Sequence, residues 1–262
     1  MDMHEFIANL RKVELWDSLR ASSRYPKCAD SGIGSLRSVI PCYRDYCEAY
    51  NSDASPFPEV AVTEAEVRAC REFDDALDKS HWKTRSTEEL GDGKVSSDNV
   101  LGKVGEFVAM RTMRSCGVKT DEPDLRIYDV HGKSFDADLH ATFNSVRCGL
   151  SVKTFRIGNG LPSKVSWVMQ YAELDGRAGT DRHFFDPDPS HRRNMWFVGV
   201  ALSPDMSHGR VLAFMPMQLL HESDVYAHLE LPKFRDTKRA VYWDDLRDRG
   251  LLPDGIRLPW SD

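Results

Sequence analysis

Glu106, Asp136, Asp138 and Lys153 are the residues whose types and spacing can do chemistry together. Three carboxylates and one ammonium are what metal-assisted hydrolysis of a phosphodiester needs. Mg²⁺ prefers hard oxygen ligands and takes one or two carboxylates plus phosphate oxygens and waters. It makes a water nucleophilic and neutralises charge at phosphorus. A Lys near the attacking water stabilises developing negative charge and helps orient or deprotonate that water. Mg²⁺ is therefore the expected cofactor, with Mn²⁺ as a substitute.

These side chains have to be positioned by a helix and a set of antiparallel strands. Strand side chains alternate faces. In a strand over 134–142, Asp136, Asp138 and His140 share one face, and Phe135, Ala137 and Leu139 the other. In a strand over 146–156, Ser151 and Lys153 share a face opposite Leu150, Val152 and Thr154. Neighbouring strands place Asp138 beside Lys153. Upstream, a helix over 100–116 is capped by Asp98 or Asn99 and stopped by Gly117. Leu101, Val104 and Val108 share one face of it, and Glu106 lies on the other near Met110 and Met113. Gly102 and Gly105 cost that helix about 1 kcal/mol each relative to Ala, which marks close approach to another backbone such as a sheet.

The rest of the second half supplies a strand over 125–130, a turn at 131–133, a helix capped by Ser163 and ending at 175–176, and a loop over 177–194. Apolar strands follow over 195–202 and 210–215, then a helix over 217–229 and a mixed tail from 233. This order predicts an α/β (α+β) fold, a mixed central β-sheet flanked by helices. The first half reads as helical: amphipathic segments over 3–22 and 36–50, then a helix opened by a Thr63–Glu66 capping box and running to about 82. A polar stretch over 83–97 divides a helical N-terminal region, 1–95, from a core, 96–262. The helical region offers a DNA contact or a homodimer interface.

Composition narrows the class. With 262 residues, 41% apolar and 29% charged, the chain is a globular protein with room for one large core. No apolar run approaches the roughly 18 residues of a membrane span, and the start shows no secretory leader. The six Cys show one close pair, Cys42 and Cys47, without a second pair at zinc spacing. Reduced, mostly buried thiols and a cytoplasmic location are expected. A net charge of −6 excludes a general nucleic-acid coat and requires local basic patches for any DNA contact.

A helix Glu, then an Asp on a strand, then a strand ending in x-x-Lys resembles the PD-(D/E)XK nuclease superfamily, which includes restriction endonucleases, Holliday-junction resolvases and phage or repair nucleases. The resemblance covers residues 100–155 and extends toward 215. It implies a restriction-endonuclease-like core and a Mg²⁺-dependent endodeoxyribonuclease. Glu106 matches the helix acid, Asp138 the metal-binding Asp and Lys153 the motif Lys. Ser151 stands where the pattern has Asp or Glu, and Asp136 is the substitute ligand on the same face. No Pro precedes either Asp.

Around this set, His140 is a hydrogen-bonded neighbour and Gln170 an accessory residue on the following helix. DNA contacts are assigned to Arg177, Arg182, Arg192 and Arg193 in the loop, where Asp181, Asp186 and Asp188 partly cancel them. Lys83, Arg85 and Lys94 form a second basic group, and Trp82, Trp196 and Trp243 are core. The added helical region favours a restriction-type enzyme over a structure-specific or phage repair nuclease, by analogy only. Two rivals stand beside this reading. One is a catalytically decayed nuclease fold that binds DNA or assembles, which Ser151 favours. The other is an unrelated α/β interaction protein with a solvated acidic face.

Overall fold

The computed structural model describes residues 57–79, 92–115, 117–126, 137–143, 146–157, 166–172, 179–186, 192, 194–228, 237–249 and 251–252. The expected helices over 3–22 and 36–50, the turn at 131–133, Trp82 and Asp136 lie outside these residues. The elements are β1 (Val60–Ala61), α1 (Glu64–Lys79), α2 (Asp92–Ser115), β2 (Lys119–Thr120), β3 (Leu139–Phe143), β4 (Val146–Arg156) and β5 (Ser166–Gln170). There follow a 3-10 turn (Arg182–Phe185), β6 (Met195–Leu202), β7 (His208–Pro216), α3 (Met217–Glu222), β8 (Tyr226–His228), β9 (Lys238–Tyr242) and α4 (Trp243–Asp248).

The capping box at the start of α1 is reciprocal. The Glu66 N–H donates to Thr63 Oγ1 at 3.2 Å, and the Thr63 N–H to Glu66 Oε2 at 2.8 Å. The other Glu66 oxygen accepts from Arg111 Nε at 2.8 Å, so the cap also fixes α1 on α2. Helix α2 starts at Asp92, upstream of the expected cap. Asn99 spends its amide on Asp74 of α1 at 3.0 Å instead of capping. Gly117, at φ 76°, ends α2: its N–H donates to Arg114 O and that of Val118 to Met113 O.

Six strands form one mixed sheet in the order β1-β7-β6-β4-β3-β2, in which β4 and β6 run parallel and every other pair antiparallel. Helix α2 crosses one face, burying Val104 and Val108 among Leu150, Val152, Val198 and Val200. Glu106, Met110 and Met113 on its other side are buried as well. A helix enclosed this way has no single apolar stripe. The close approach falls at Gly105, where a Cβ would lie 1.8 Å from Thr154 Oγ1 of β4; Gly102 faces open space. Pairing of β1 with β7, and of α1 with α2, joins the described part of the first region to the core.

A second, antiparallel sheet, β5-β9-β8, lies on the opposite side. Trp167 of β5 packs against Gly199 of β6, where a Cβ would come within 2.8 Å of the ring, and its indole N–H donates to Val200 O at 3.1 Å. Trp196 and Trp243 are core residues as expected, and Cys70 and Cys148 are buried thiols outside any disulfide. Among the described residues no helix is long and apolar enough to cross a membrane.

Three expectations are corrected. Residues 166–170 are strand, not helix: Trp167 and Met169 are buried between half-buried neighbours, a two-residue alternation that paired strands impose. The helix from Met217 stops at Glu222. Asp224, at φ 50°, turns the chain back, and Tyr226–His228 pairs with β9. At 125–126 there is no strand, because the backbone N–H and guanidinium of Arg126 both fold onto Asp124. The short β2 pairs with β3 instead.

Candidate functional site

Lys153 rises from β4 on the face opposite Thr154, which packs under α2 at Gly105. Asp138 enters β3 opposite Ser151. Its N–H donates to Leu150 O at 3.0 Å, and its Oδ2 accepts the Val152 N–H at 2.8 Å. Leu139 pairs with Leu150, so Asp138, Ser151 and Lys153 share one face, as the alternation predicts. Asp138 is exposed, and its second oxygen accepts no hydrogen bond among the described residues. Ser151 is buried on Lys153's face.

The partner of Lys153 is Asp181. Lys153 Nζ donates to both Asp181 oxygens, at 3.0 and 3.1 Å. Asp181, 7% exposed, is tied to the end of β5: its Oδ2 accepts the Gln170 N–H at 2.8 Å, and its own N–H donates to Gln170 O. Gly179 lets this segment lie flat on β5, since a Cβ there would meet Gln170 O at 2.4 Å. Burial works against the charge on Lys153. Asp181 first, then Asp138 and Glu106, more than offset it and hold the ammonium above its ordinary value of 10.5. Three carboxylates from three separate segments thus act on one lysine.

Glu106 is buried at 6% exposure on the side of α2 that faces α1. Both its oxygens accept from Lys103 Nζ, at 2.8 and 2.9 Å, and that ammonium lies 5.4 Å from the Phe73 ring centroid. Burial and then the Glu106 charge push the neighbouring Cys70 thiol up to about 12, so this cysteine is inert. Among the described residues no group of three or more His, Cys, Asp and Glu side chains stands close enough to hold a metal ion.

The accessory residues fall differently from expectation. His140 Nδ1 lies 4.0 Å from Asp121 Oδ2, which also accepts from Arg147 Nη2 at 2.8 Å, so it serves the β2 edge. Gln170 sits on a strand, not a helix, and serves the site through its backbone N–H; its side chain donates to Ala172 O. Arg192 is corrected. It is 3% exposed, with Nε on Gln218 Oε1 at 2.6 Å and Nη1 on Phe184 O and Asp186 O, and it holds the loop against α3 rather than facing a phosphate. Arg182 is exposed, and Arg177 and Arg193 lie outside the described residues. Sequence reasoning missed Asp181 and Lys103 as partners. For Lys103 the signal was available, an acid three residues on along a helix. For Asp181 it was not, because a turn far down the chain delivers it. No protein-family model matches this chain, and no curated protein or solved structure is similar to it.

Proposed function

We propose that this chain is a divalent-metal-dependent deoxyribonuclease, an endonuclease with a PD-(D/E)XK-like core. The observation that carries the reading is Lys153, a half-buried lysine on a sheet face whose ammonium is held charged by Asp181, Asp138 and Glu106. A helix followed by an antiparallel β2-β3-β4 set, with β6 parallel to β4, supports it.

The donor set suits Mg²⁺ in kind: carboxylate oxygens only, one of them on Asp138 without a hydrogen bond among the described residues. Asp138 would hold the ion, with Asp136 as a further ligand, and Glu106 would join them only once Lys103 releases its oxygens. The metal would supply Lewis acidity and a more acidic water. Lys153 orients the attacking water and stabilises charge on the phosphorane. Asp181 holds that ammonium in position and supplies, from a turn, the acid that Ser151 does not supply from β4.

A second reading has its own observation. Both oxygens of Glu106 are taken by Lys103, and those of Asp181 by Lys153, so two acids are already neutralised. That favours a decayed nuclease fold that binds DNA without cutting it. Plasmid incubated with Mg²⁺ or Mn²⁺ separates the two. Cleavage by the wild type, lost in Lys153→Ala and Asp138→Ala, supports the nuclease. Binding without cleavage by all three supports the decayed fold. A melting shift with Mg²⁺ that Asp138→Asn abolishes reports the metal site independently of turnover.

A further inference from the structure

Next to the Lys153–Asp181 pair, the end of the small sheet carries a cluster that the chemistry above does not use. Tyr171 follows Gln170, whose N–H holds Asp181. The guanidinium carbon of Arg239 lies 4.4 Å from the Tyr171 ring centroid, and that of Arg182 lies 5.5 Å away. The Phe185 ring meets Tyr171 edge-on at 5.3 Å and 89°. Gln170 pairs with Lys238 across the β5–β9 ladder, so a third cation belongs to the same end of the sheet. Two segments, the turn carrying Arg182 and strand β9, thus bring guanidinium groups to one aromatic ring, next in the chain to the residue whose N–H holds Asp181.

Each guanidinium is attracted to the face of the ring. More useful is that the ring restricts it. Arg has a planar fork that matches phosphate oxygens two at a time, and a fork already held in place loses less freedom when it binds. Asp181, the nearest acid along the chain, has both oxygens committed to Lys153 and the Gln170 N–H, so its charge is locally neutralised. Arg182 is exposed and forms no ion pair among the described residues. On a chain of net charge −6, such a local patch is what a selective polyanion contact requires.

We infer that Arg182 and Arg239, braced on Tyr171, form a phosphate clamp that holds a DNA backbone beside Lys153. This rests on the nuclease-fold reading for its ligand, and Tyr171 acts as a positioning residue. Binding of a short labelled duplex, followed by fluorescence anisotropy in EDTA across a salt series, tests it without any cleavage. Arg182→Ala makes the slope of log K against log salt shallower by about 0.9, and Arg182→Ala/Arg239→Ala by about 1.8. Tyr171→Leu weakens binding at an unchanged slope, and Tyr171→Phe restores it. Arg68→Ala, at an exposed site on α1, changes neither. Arg182 is exposed, so its variant keeps the wild-type urea midpoint and separates lost contact from lost fold. A wild-type slope in both arginine variants, or a wild type that binds no duplex, overturns the clamp. Absence of plasmid cleavage alongside the expected slopes overturns the hydrolase and leaves the clamp standing.

Discussion

Removing Asp181 tests the site most directly. The Asp181→Ala variant leaves the Lys153 ammonium in place, with its side chain only 17% exposed, and deletes its bidentate partner. It also orphans the Gln170 N–H at the end of β5. Breaking a buried pair from one side costs about 3–5 kcal/mol, because a charge is left without compensation. Both groups keep some solvent contact, so the lower end applies, about 3 kcal/mol. For a chain of this size that lowers the melting temperature by about 6–12 °C. Lys153→Met costs a similar amount by stranding Asp181. Lys153→Met/Asp181→Leu, which removes both charges, returns most of it, since well-packed apolar replacements are often neutral or stabilising. Urea denaturation of the four proteins gives the coupling energy. The pH dependence has a definite sign. The folded-state value of Lys153 lies above its ordinary 10.5, so the pair's contribution is complete below that value and fades as pH rises through the higher one. The gap between wild type and Asp181→Ala therefore stays constant at neutral and mildly alkaline pH and narrows only beyond it. A coupling energy near zero, or a loss under about 0.5 kcal/mol, would refute the buried pair.

Two further outcomes test the frame around the site. Thr63→Ala removes the acceptor of the Glu66 N–H and lowers stability by about 1 kcal/mol in urea denaturation; no change would mean the cap is redundant. Gly105→Ala gains about 1 kcal/mol of helix propensity, yet puts a methyl 1.8 Å from Thr154 Oγ1, so a net loss of about 1–3 kcal/mol is expected. Adding Thr154→Ala recovers part of it, and stabilisation by Gly105→Ala alone would show that α2 does not press on β4 there.

Elements that a single segment determines were legible in the sequence. Thr63 and Glu66 announce a cap within four residues, and Gly117 announces a stop. The β3–β4 pair and the face shared by Asp138, Ser151 and Lys153 follow from a period of two, which needs no knowledge of the rest of the molecule. Residues 166–170 misled because Val165, Val168, Met169 and Ala172 also fit a helical period, and a five-residue apolar run fits either. What decided it was Gly199, which gives Trp167 room to lie on β6. Arg192 misled in the opposite way: an arginine in a polar loop looks solvated until Gln218, from another element, takes its guanidinium.

The same distinction governs the chemistry. Strand β4 offers Ser151 where the nuclease pattern has an acid, and by sequence alone that substitution counts against catalysis. The carboxylate beside Lys153 instead arrives 28 residues later, from a turn held flat on β5 by Gly179. Phosphodiester hydrolysis depends on where charge stands, not on which segment carries it, so an acid delivered by a turn can do what one on the strand would do. Under the proposed reading Asp181 is therefore the residue on which activity and stability diverge. Asp181→Asn keeps an oxygen for Lys153 and for the Gln170 N–H while discarding the charge. Losing the charge costs part of the roughly 3 kcal/mol assigned to the pair, whereas a hydrolase also needs the ammonium held charged among acids. If Asp181→Asn still cleaves at the wild-type rate, the charge of Asp181 is not used in catalysis and the acid that Ser151 lacks has not been replaced.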